Sequence, residues 1–551
     1  MIYPKIPLAQ SIIEILRAKN ISNIVISPGS RNAPLTIGFG NDPFFNCYSI
    51  ADERSAAFFA LGIAQQIKKP VVVVCTSGSA LLNYYPAFAE AFYSQIPLIV
   101  ISADRPQSKI DIGDGQTIRQ ENVFTNHSLF NANLTEDASV NNDNLIQEAI
   151  YRAFAKKGPV HINAPFEEPL YEPTTELLVN PNIISFESNA IASEDLKPFA
   201  NQWNTCKKKL ILVGVNNPNA VEQGYLDELA NDPSVVVLIE TTSNLHHPKF
   251  INTIDSIITP FTEKDYIDFQ PEILVTFGGM IVSKRIKAFL RKYQPNQHWH
   301  IDDLRAYDTF GCLTKHFEMT PNLFFQSFFN LTETVASNYN QLAQDIKAYR
   351  QKKSIEYLEK IPFTDLKVFE KLLPALPANS QLHISNSSPI RYAQLFDIEK
   401  SIEVFSNRGT SGIDGSTSTA IGGAVGNTKP CVFITGDIGF LYDSNALWNN
   451  YIPNNFKIIL INNGGGGIFR ILPGHKETPV FNTFFETSHC LTAVHLAKMY
   501  GFNYLTASNE ATLESSLKEL FSNDETPTLL EVFTPTLEND KVLLDYFKEL
   551  K

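Results

Sequence analysis

Two short loops carry the residues whose chemistry is easiest to interpret. Asp437 follows an apolar run at 431–435, and Asn463 follows an apolar run at 456–461. Such runs predict buried strands of a parallel sheet, and open α/β sheets bind ligands at the carboxyl ends of these strands. The two side chains offer hard oxygen ligands, and the glycines at 464–467 let backbone carbonyls approach closely. Because Mg²⁺ prefers oxygen ligands and completes its octahedron with water and phosphates, these loops predict a divalent metal site.

An earlier pair of segments has nearly the same spacing but lacks the strands. Gly113-Asp114-Gly115 is followed, at almost the same interval, by Asn141-Asn142. The flanking residues at 107–113 and 133–139 are polar and turn-like, so neither segment follows a predicted strand. A motif without its structural context is a weak signal. We therefore interpret the earlier pair as a chance match and the later pair as the metal site.

Composition limits the classes of protein that fit. At 551 residues the chain has room for about three domains of roughly 150 residues each. Its net charge of −13 argues against a nucleic-acid partner. The cysteines are scattered without a C-x-x-C pair, which argues against zinc and disulfide frameworks and fits a reducing compartment. Since no apolar run approaches the roughly 18 residues of a membrane span and no signal-peptide pattern is visible, we expect a cytoplasmic protein.

Alternating strand and helix patterns predict an α/β fold of three doubly wound parallel-sheet domains, because continuous apolar strands between helices indicate sheets covered on both faces. The predicted strands lie at 23–26, 71–75, 97–101, 159–162, 210–213, 235–239, 273–276, 298–301, 382–384, 403–405, 431–435, 457–461 and 528–533. Helical patterns include 8–18, 53–66, 80–93 and 341–358. A polar, proline-bearing stretch near 175–195 and Pro362 suggest boundaries. We predict domains at 1–178, 190–345 and 360–551.

Several longer motifs in the first and third domains add a family resemblance. In the first domain they are Ser-Pro-Gly-Ser-Arg-Asn-Ala-Pro at 27–34, Asp-Glu-Arg-Ser-Ala-Ala at 52–57, Ser-Ala-Asp-Arg-Pro at 102–106 and Gln-Thr-Ile-Arg-Gln at 116–120. In the third they are Ser-Asn-Ser-Ser at 385–388, Ser-Asn-Arg-Gly-Thr-Ser-Gly-Ile-Asp-Gly at 406–415 and Gly-Ile-Phe-Arg-Ile-Leu at 467–472. Together with the metal loops, they resemble the 2-succinyl-5-enolpyruvyl-6-hydroxy-3-cyclohexene-1-carboxylate synthases, thiamine-diphosphate enzymes of menaquinone biosynthesis. The resemblance is thin in the middle domain, and it implies the three-domain fold of thiamine-diphosphate enzymes.

The resemblance implies a set of cofactor and metal residues. Glu53 matches the catalytic glutamate that partners the aminopyrimidine ring of thiamine diphosphate. Asp437, Asn463 and the Gly465 carbonyl would hold Mg²⁺ or Mn²⁺, which bridges the diphosphate, and Ile413 would wedge beneath the cofactor. The further cofactor contacts would be Ser387, Asn407, Ile468 and Phe469. Taken singly, these residues also fit ordinary roles, because a glutamate suits a helix amino terminus and a glycine run suits a turn.

The resemblance also implies a cationic substrate site. The family's substrates, 2-oxoglutarate and isochorismate, are dianions near neutral pH, and arginine binds carboxylates through paired hydrogen bonds. The matching positions near the substrates are Ser30, Arg31, Arg105, Gln116, Lys284, Arg285, Arg391, Arg408 and Leu472. Those expected to be catalytic beside Glu53 are Ser30, Arg31, Gln116, Arg391 and Arg408. Any single arginine could equally form a structural ion pair.

The activity implied is decarboxylation of 2-oxoglutarate and conjugate addition of the succinyl unit to isochorismate. In the family the glutamate reaches a cofactor held by the partner chain, so a homodimer is the smallest expected unit and a dimer of dimers is an alternative. Another thiamine-diphosphate carboligase or 2-oxoacid decarboxylase, such as an acetolactate-synthase-like enzyme, would share the metal motif. A nucleotide-binding regulatory protein would share the doubly wound domains, although the chain contains no P-loop.

Overall fold

The computed structural model describes residues 1–186, 194–471, 474, 477–522 and 524–551. These residues form three parallel sheets with intervening helices, besides a short antiparallel pair of Tyr3–Pro4 with Pro173–Thr174. The predicted α/β fold class is therefore confirmed. Among the described residues, none of the helices combines the length and the apolar character that crossing a bilayer requires.

The first sheet is buried on both faces. Its strands, in spatial order, are Asn46–Ser49, Asn23–Ile26, Val71–Cys75, Leu98–Asp104, Pro159–Pro165 and Asn131–Asn133. The helices around it are Pro7–Ala18, Ala33–Gly40, Glu53–Ile67, Ser79–Asn83, Tyr85–Ser94 and Val140–Ala155. Val71 and Val73 enter one apolar core, and Val72 and Val74 enter another. This two-sided burial is why the central strand is apolar at every position.

The central sheet repeats this arrangement. Its strands, in spatial order, are Val235–Ile239, Lys209–Val213, Ile273–Phe277, Gln297–Ile301 and Lys315–Phe317. The helices that accompany it are Lys197–Trp203, Gln223–Asn231, Ile254–Ile258, Glu263–Phe269, Lys284–Lys292 and Pro321–Phe328. The longer helix Tyr339–Leu358 then leads towards the third sheet, as the charged pattern at 341–358 predicts.

The third sheet carries both predicted metal loops. Its strands, in spatial order, are Glu403–Phe405, Gln381–Ile384, Cys431–Gly436, Phe456–Asn462, Thr528–Phe533 and Asn503–Ala507. The helices that accompany it are Asp365–Leu372, Ser388–Ala393, Ser416–Gly426, Asp437–Tyr442, Pro479–Phe481, Val494–Met499, Glu510–Ser522 and Asn539–Glu549. Because Cys431–Gly436 and Phe456–Asn462 pair directly in parallel, their carboxyl ends lie side by side.

The first and third domains share a tightly packed helix pair. The helix Glu53–Ile67 packs against Ser416–Gly426, and glycines line the contact. A Cβ at Gly62 would lie 2.2 Å from the carbonyl oxygen of Thr419, and one at Gly422 would lie 2.0 Å from that of Phe59. The absence of these side chains therefore brings the two helix backbones together and fixes the amino end of the Glu53 helix against the third domain.

Candidate active site

The two metal loops predicted from the sequence meet at one edge of the third sheet. Asp437 begins the helix Asp437–Tyr442 directly after its strand, and its side chain is buried. Its Oδ2 accepts hydrogen bonds from the backbone N–H groups of Gly464 at 2.9 Å and Gly465 at 3.0 Å. Burial raises the pKa of Asp437, and backbone hydrogen bonds oppose that shift. The glycine loop is therefore bound directly to the carboxylate that is expected to ligate the metal.

Asn463 is held by side chains from distant segments. Its Nδ2 donates to Asp365 Oδ2 at 3.0 Å, and its backbone carbonyl accepts from Thr536 Oγ1 at 2.6 Å. Its side-chain oxygen, Oδ1, accepts no hydrogen bond from any residue that the structure describes. That oxygen therefore keeps both lone pairs for a ligand.

The glycine loop requires residues without a side chain. Gly464 has φ +77°, in the left-handed region that favours glycine. A Cβ at Gly465 would lie 2.9 Å from the carbonyl oxygen of Glu486, closer than an ordinary van der Waals contact. The N–H of Gly466 donates to that same carbonyl at 2.6 Å. The loop that carries the expected Gly465 ligand is thus closed by the backbone at Glu486.

The donors at these loops fit a divalent cation. The Asp437 carboxylate, the Asn463 amide and the Gly465 carbonyl offer oxygen atoms of the kind that Mg²⁺ and Mn²⁺ take, with places left for water and phosphate. Within the described part of the chain, no group of three or more His, Cys, Asp or Glu side chains could hold a metal. The expected metal ligands do not form such a group, because Asp437 is the single His, Cys, Asp or Glu residue among them.

His489 adds a donor that sequence reasoning missed. Its Nε2 is buried 3.4 Å from Asp437 Oδ2 and has no hydrogen-bond partner among the described residues. The backbone N–H of Leu491 donates to His489 Nδ1 at 3.1 Å, so in the neutral ring the proton lies on Nε2. A buried N–H without a partner beside the metal loops suits a phosphate oxygen. The sequence gives no local signal for it, because His489 lies 26 residues after Asn463.

Glu53 lies at the first position of its helix, as expected. Asp52 caps the helix by accepting from the Ser55 N–H at 3.1 Å, and it also accepts from Asn445 Nδ2 at 2.8 Å. Arg54 donates to the Tyr442 carbonyl at 2.8 Å. No hydrogen bond or ion pair occupies the Glu53 carboxylate within the described ranges. The residues flanking Glu53 are therefore fixed to the third domain while its own side chain stays available.

The segment at 406–413 is held by two residues that were not among the predicted site residues, although the first of them, Asn386, lies inside the motif at 385–388. Asn386 Nδ2 donates to the carbonyls of Asn407 at 2.7 Å and Gly412 at 2.6 Å, and its Oδ1 accepts from Arg408. From the first domain, the buried carboxylate of Glu90 accepts from the N–H groups at positions 409 and 410, both at 2.7 Å. These contacts hold the predicted cofactor and substrate residues of this segment in one conformation.

Arg391 and Arg408 interact with two carboxylates of the central domain, the buried Glu240 and the half-buried Asp255. Burial lowers the pKa of both arginines; Glu240 opposes the shift in both, and Asp255 opposes it in Arg391. Asp255 also interacts with Arg285. The structure thus brings Arg285, Arg391 and Arg408 together where the central and third domains meet.

Glu240 also fixes the loop that leads to the predicted basic pair. Its carboxylate accepts from the backbone N–H groups of Val282 and Ser283, both at 2.7 Å. Burial raises the pKa of Glu240 to about 7, and these hydrogen bonds oppose the shift. Lys284 and Arg285 follow as exposed residues at the start of a helix. Their side chains face solvent within one chain, so a role towards substrate stays a prediction.

The predicted residues of the first domain form a second group. Arg105 Nη1 donates to the carbonyl of Gln116 at 2.7 Å, which joins two of them. Arg31 is buried, and its Nη2 donates to the Glu168 carboxylate at 3.2 Å. Ser30 is exposed next to it. Within the described residues no hydrogen bond or ion pair joins this group to Arg391 or Arg408 in the same chain.

The remaining predicted residues line the loops of the third domain. Ser387 has φ +73°, an unusual conformation for serine, immediately before the helix Ser388–Ala393. Ile413 is half-buried, as are Ile468 and Phe469 on the turn at 467–471. Leu472 lies outside the described residues.

Comparison with known proteins accounts for all three domains. Residues 6–128 match the family model "Thiamine pyrophosphate enzyme, N-terminal TPP binding domain", and residues 387–532 match "Thiamine pyrophosphate enzyme, C-terminal TPP binding domain". Residues 188–384 match "Middle domain of thiamine pyrophosphate". The matches place cofactor-binding domains at both ends of the chain, which agrees with the positions of Glu53 and Asp437.

Full-length relatives narrow the family further. The chain is 69% identical over 550 residues to a protein of Flavobacterium psychrophilum, with 100% of both chains covered. It is 68% identical over 555 residues to one of Flavobacterium johnsoniae and 52% identical over 577 residues to one of Christiangramia forsetii, again with 100% coverage of both chains. All three are named 2-succinyl-5-enolpyruvyl-6-hydroxy-3-cyclohexene-1-carboxylate synthase. The chain therefore belongs to this synthase family of thiamine pyrophosphate enzymes.

Proposed function

We propose that this chain decarboxylates 2-oxoglutarate and adds the resulting succinyl unit to isochorismate, using thiamine diphosphate and a divalent cation. The observation that carries the proposal is its full-length identity of 69% and 68% to relatives that bear the synthase name. An acetolactate-synthase-like activity, the alternative left open by the metal motif, has no such support.

The metal and cofactor are assigned to the loops of the third domain. Asp437, Asn463 and Gly465 hold Mg²⁺ or Mn²⁺ through oxygen atoms, and Ser387, Asn407, Ile413, Ile468 and Phe469 contact the cofactor. When bound, thiamine diphosphate supplies the carbon nucleophile and the electron sink that the reaction needs. The hydrogen bonds from the glycine loop to Asp437 support this assignment, because they keep a buried carboxylate ready for a cation.

Glu53 is proposed to share a proton with the ring nitrogen of the aminopyrimidine. In the family that the sequence resembles, this glutamate reaches a cofactor held by the partner chain. Asp52 accepts from Asn445 and Arg54 donates to the Tyr442 carbonyl, while the Glu53 carboxylate has no hydrogen-bond partner among the described residues. By that resemblance we propose that Glu53 serves a cofactor held by the partner chain of a homodimer; a dimer of dimers keeps the same pairing.

The two arginine groups would then meet across that dimer. Arg391 and Arg408, with Lys284 and Arg285, bind one substrate's carboxylates. Ser30, Arg31, Arg105 and Gln116 come from the other chain. Holding two dianions side by side lowers the barrier through proximity and charge stabilisation. The cysteines, all free, support a reducing compartment such as the cytoplasm.

The experiment is a reconstitution with the purified protein, thiamine diphosphate, MgCl₂, 2-oxoglutarate and isochorismate. We expect carbon dioxide release and a product whose mass equals isochorismate plus 2-oxoglutarate minus carbon dioxide. Omission of the cofactor should abolish both signals, and omission of isochorismate should abolish the product. In a parallel reaction, pyruvate replaces both substrates. Flavin absorbance of the purified protein together with a product made from two molecules of pyruvate would replace this proposal with the acetolactate-synthase-like alternative.

A further inference from the structure

Asp365 is a buried carboxylate that no motif in the sequence identifies. It is the first residue of the helix Asp365–Leu372 and is 2% exposed. Its Oδ2 accepts from Asn463 Nδ2 at 3.0 Å, and its Oδ1 accepts from Thr534 Oγ1 at 2.6 Å. Its backbone N–H donates to Asn539 Oδ1 at 2.8 Å. Thr534 therefore holds the carboxylate and Asn539 holds the backbone of a residue whose side chain contacts one proposed metal ligand.

The contact determines which end of the Asn463 amide faces the metal loops. A carboxamide has one oxygen, which accepts, and one NH₂ group, which donates. A carboxylate only accepts, so the Asp365 carboxylate requires the NH₂ group of Asn463 to point towards it. The amide oxygen then points to the opposite side, where it accepts no hydrogen bond from the described residues. A rotation of the amide by 180° would present NH₂, which cannot bind a cation.

We propose that Asp365 is a positioning residue that selects the metal-binding orientation of the Asn463 amide. The inference rests on the proposed metal role of Asn463. It differs from a purely structural role of Asp365 at a helix amino terminus, where an acidic residue is favourable whatever its side chain contacts. Loss of a residue that orients a metal ligand typically weakens metal affinity by about 10- to 100-fold.

The test compares Asp365→Ala with Asp365→Asn. The alanine variant removes the acceptor, so its affinity for Mg²⁺ should fall about 10- to 100-fold. The asparagine variant can point its own amide oxygen at Asn463 and its NH₂ group at the Thr534 hydroxyl, which can accept. It should therefore keep affinity within about threefold of wild type, since the required acceptor remains. Affinity is measured by titrating MgCl₂ into full-length protein saturated with thiamine diphosphate, by calorimetry, and by Mn²⁺ electron paramagnetic resonance.

Two controls separate orientation from general damage. Asp143→Ala removes another buried carboxylate from the first turn of a helix, Val140–Ala155, and should leave Mg²⁺ affinity unchanged. In an Asn463→Ala background, Asp365→Ala should have no additional effect on Mg²⁺ affinity, because there is no amide left to orient. If Asp365→Ala does not fold, Asp365→Ser replaces it, since the serine hydroxyl is too short to reach Asn463.

The outcomes distinguish this inference from the proposed function. Wild-type protein that binds no Mg²⁺ in the presence of thiamine diphosphate would overturn the proposed metal site itself. Wild-type binding with an equally tight, folded alanine or serine variant would overturn the role of Asp365. A loss of equal size in Asp365→Asn and Asp365→Ala, or a full additional loss in the Asn463→Ala background, would show that orientation of the amide is not the cause.

Discussion

Replacing Gly62 by alanine tests whether the close approach of two helices positions Glu53. The new Cβ would lie 2.2 Å from the carbonyl oxygen of Thr419, whereas ordinary contacts begin at 3.4 Å, so the helices must separate by about 1.2 Å (3.4 − 2.2). A backbone carbonyl inside a helix cannot rotate away. Overpacking of this kind typically costs about 1–3 kcal/mol. Since a displacement of about 1 Å at a catalytic group can lower the rate about 100-fold, turnover should fall by a similar factor.

The assay follows turnover and the melting temperature, Tm, in parallel. Gly62→Ala should lower Tm and reduce carbon dioxide release from 2-oxoglutarate, while Gly224→Ala serves as the matched control. Gly224 lies in the helix Gln223–Asn231, and a Cβ there would meet no atom within 4 Å. The Gly224→Ala variant should keep full turnover, and its free energy of unfolding should rise by up to about 1 kcal/mol because alanine favours a helix more than glycine does. Wild-type turnover and Tm in Gly62→Ala would refute the claim that this glycine contact positions Glu53.

Two further predictions concern charge. Arg391→Ala and Arg408→Ala should each raise KM for the anionic substrates at least about 10-fold, because a lost charge-assisted hydrogen bond is worth about 1.5–3 kcal/mol. The affinity of each variant for thiamine diphosphate should stay within about threefold of wild type. Substrate kinetics like those of wild type would show that these arginines do not belong to the substrate site. Burial raises the pKa of Asp443 to about 7, above about 3.9 in an unfolded chain. The stabilisation that comes from keeping Asp443 protonated in the folded state is therefore complete below pH 4 and is lost as pH rises to 7. Over that range the free energy of unfolding falls by up to about 1.4 kcal/mol per pH unit. The Tm of Asp443→Asn relative to wild type should consequently rise between pH 5 and pH 8; a constant or falling difference would contradict the buried-carboxyl explanation.

The sequence predicted the strands that are buried on both faces and missed several at sheet edges. Cys431–Gly436 and Phe456–Asn462 are apolar because helices cover both sides, and their patterns predict them to within one residue at each end. Asn131–Asn133, Lys315–Phe317 and Asn503–Ala507 each lie at the edge of a sheet. They are short or partly exposed, so no continuous apolar run marks them.

Local chemistry also divided one predicted helix. The pattern at 80–93 predicts a continuous helix, whereas the structure has Ser79–Asn83 and Tyr85–Ser94 with Tyr84 between them. Pro86 is the reason, because a proline has no N–H to continue the preceding helix but suits the first turn of a new one.

The asparagine of the earlier Asp-Asn pair, which we interpreted as a chance match, is also explained by local structure. Asn142 lies inside a helix and donates to the carbonyl of Thr135 at 2.9 Å, which is a structural role.

The candidate site was predictable where it depends on local motifs. Asp437 and the glycine loop follow their strands directly, and parallel pairing brings them together. Asp365, Glu240 and Glu90 act through contacts with residues that are far away in the sequence. Asp365 and Asn463, for example, are 98 positions apart. A single sequence gives no spacing rule for such contacts. They become visible only when the backbone brings the segments together.

The role of Glu53 in activating the cofactor is tested most directly by the exchange rate of the thiazolium C2 proton of bound thiamine diphosphate, measured by quenched-flow deuterium exchange and NMR. We expect fast exchange in wild type and a rate lower by at least about 100-fold in Glu53→Gln, because glutamine cannot share a proton with the aminopyrimidine nitrogen. Thiamine diphosphate and Mg²⁺ should still bind to the variant with affinities close to wild type. Wild-type exchange in Glu53→Gln with the cofactor fully bound would contradict the assignment of Glu53 as the activating carboxylate.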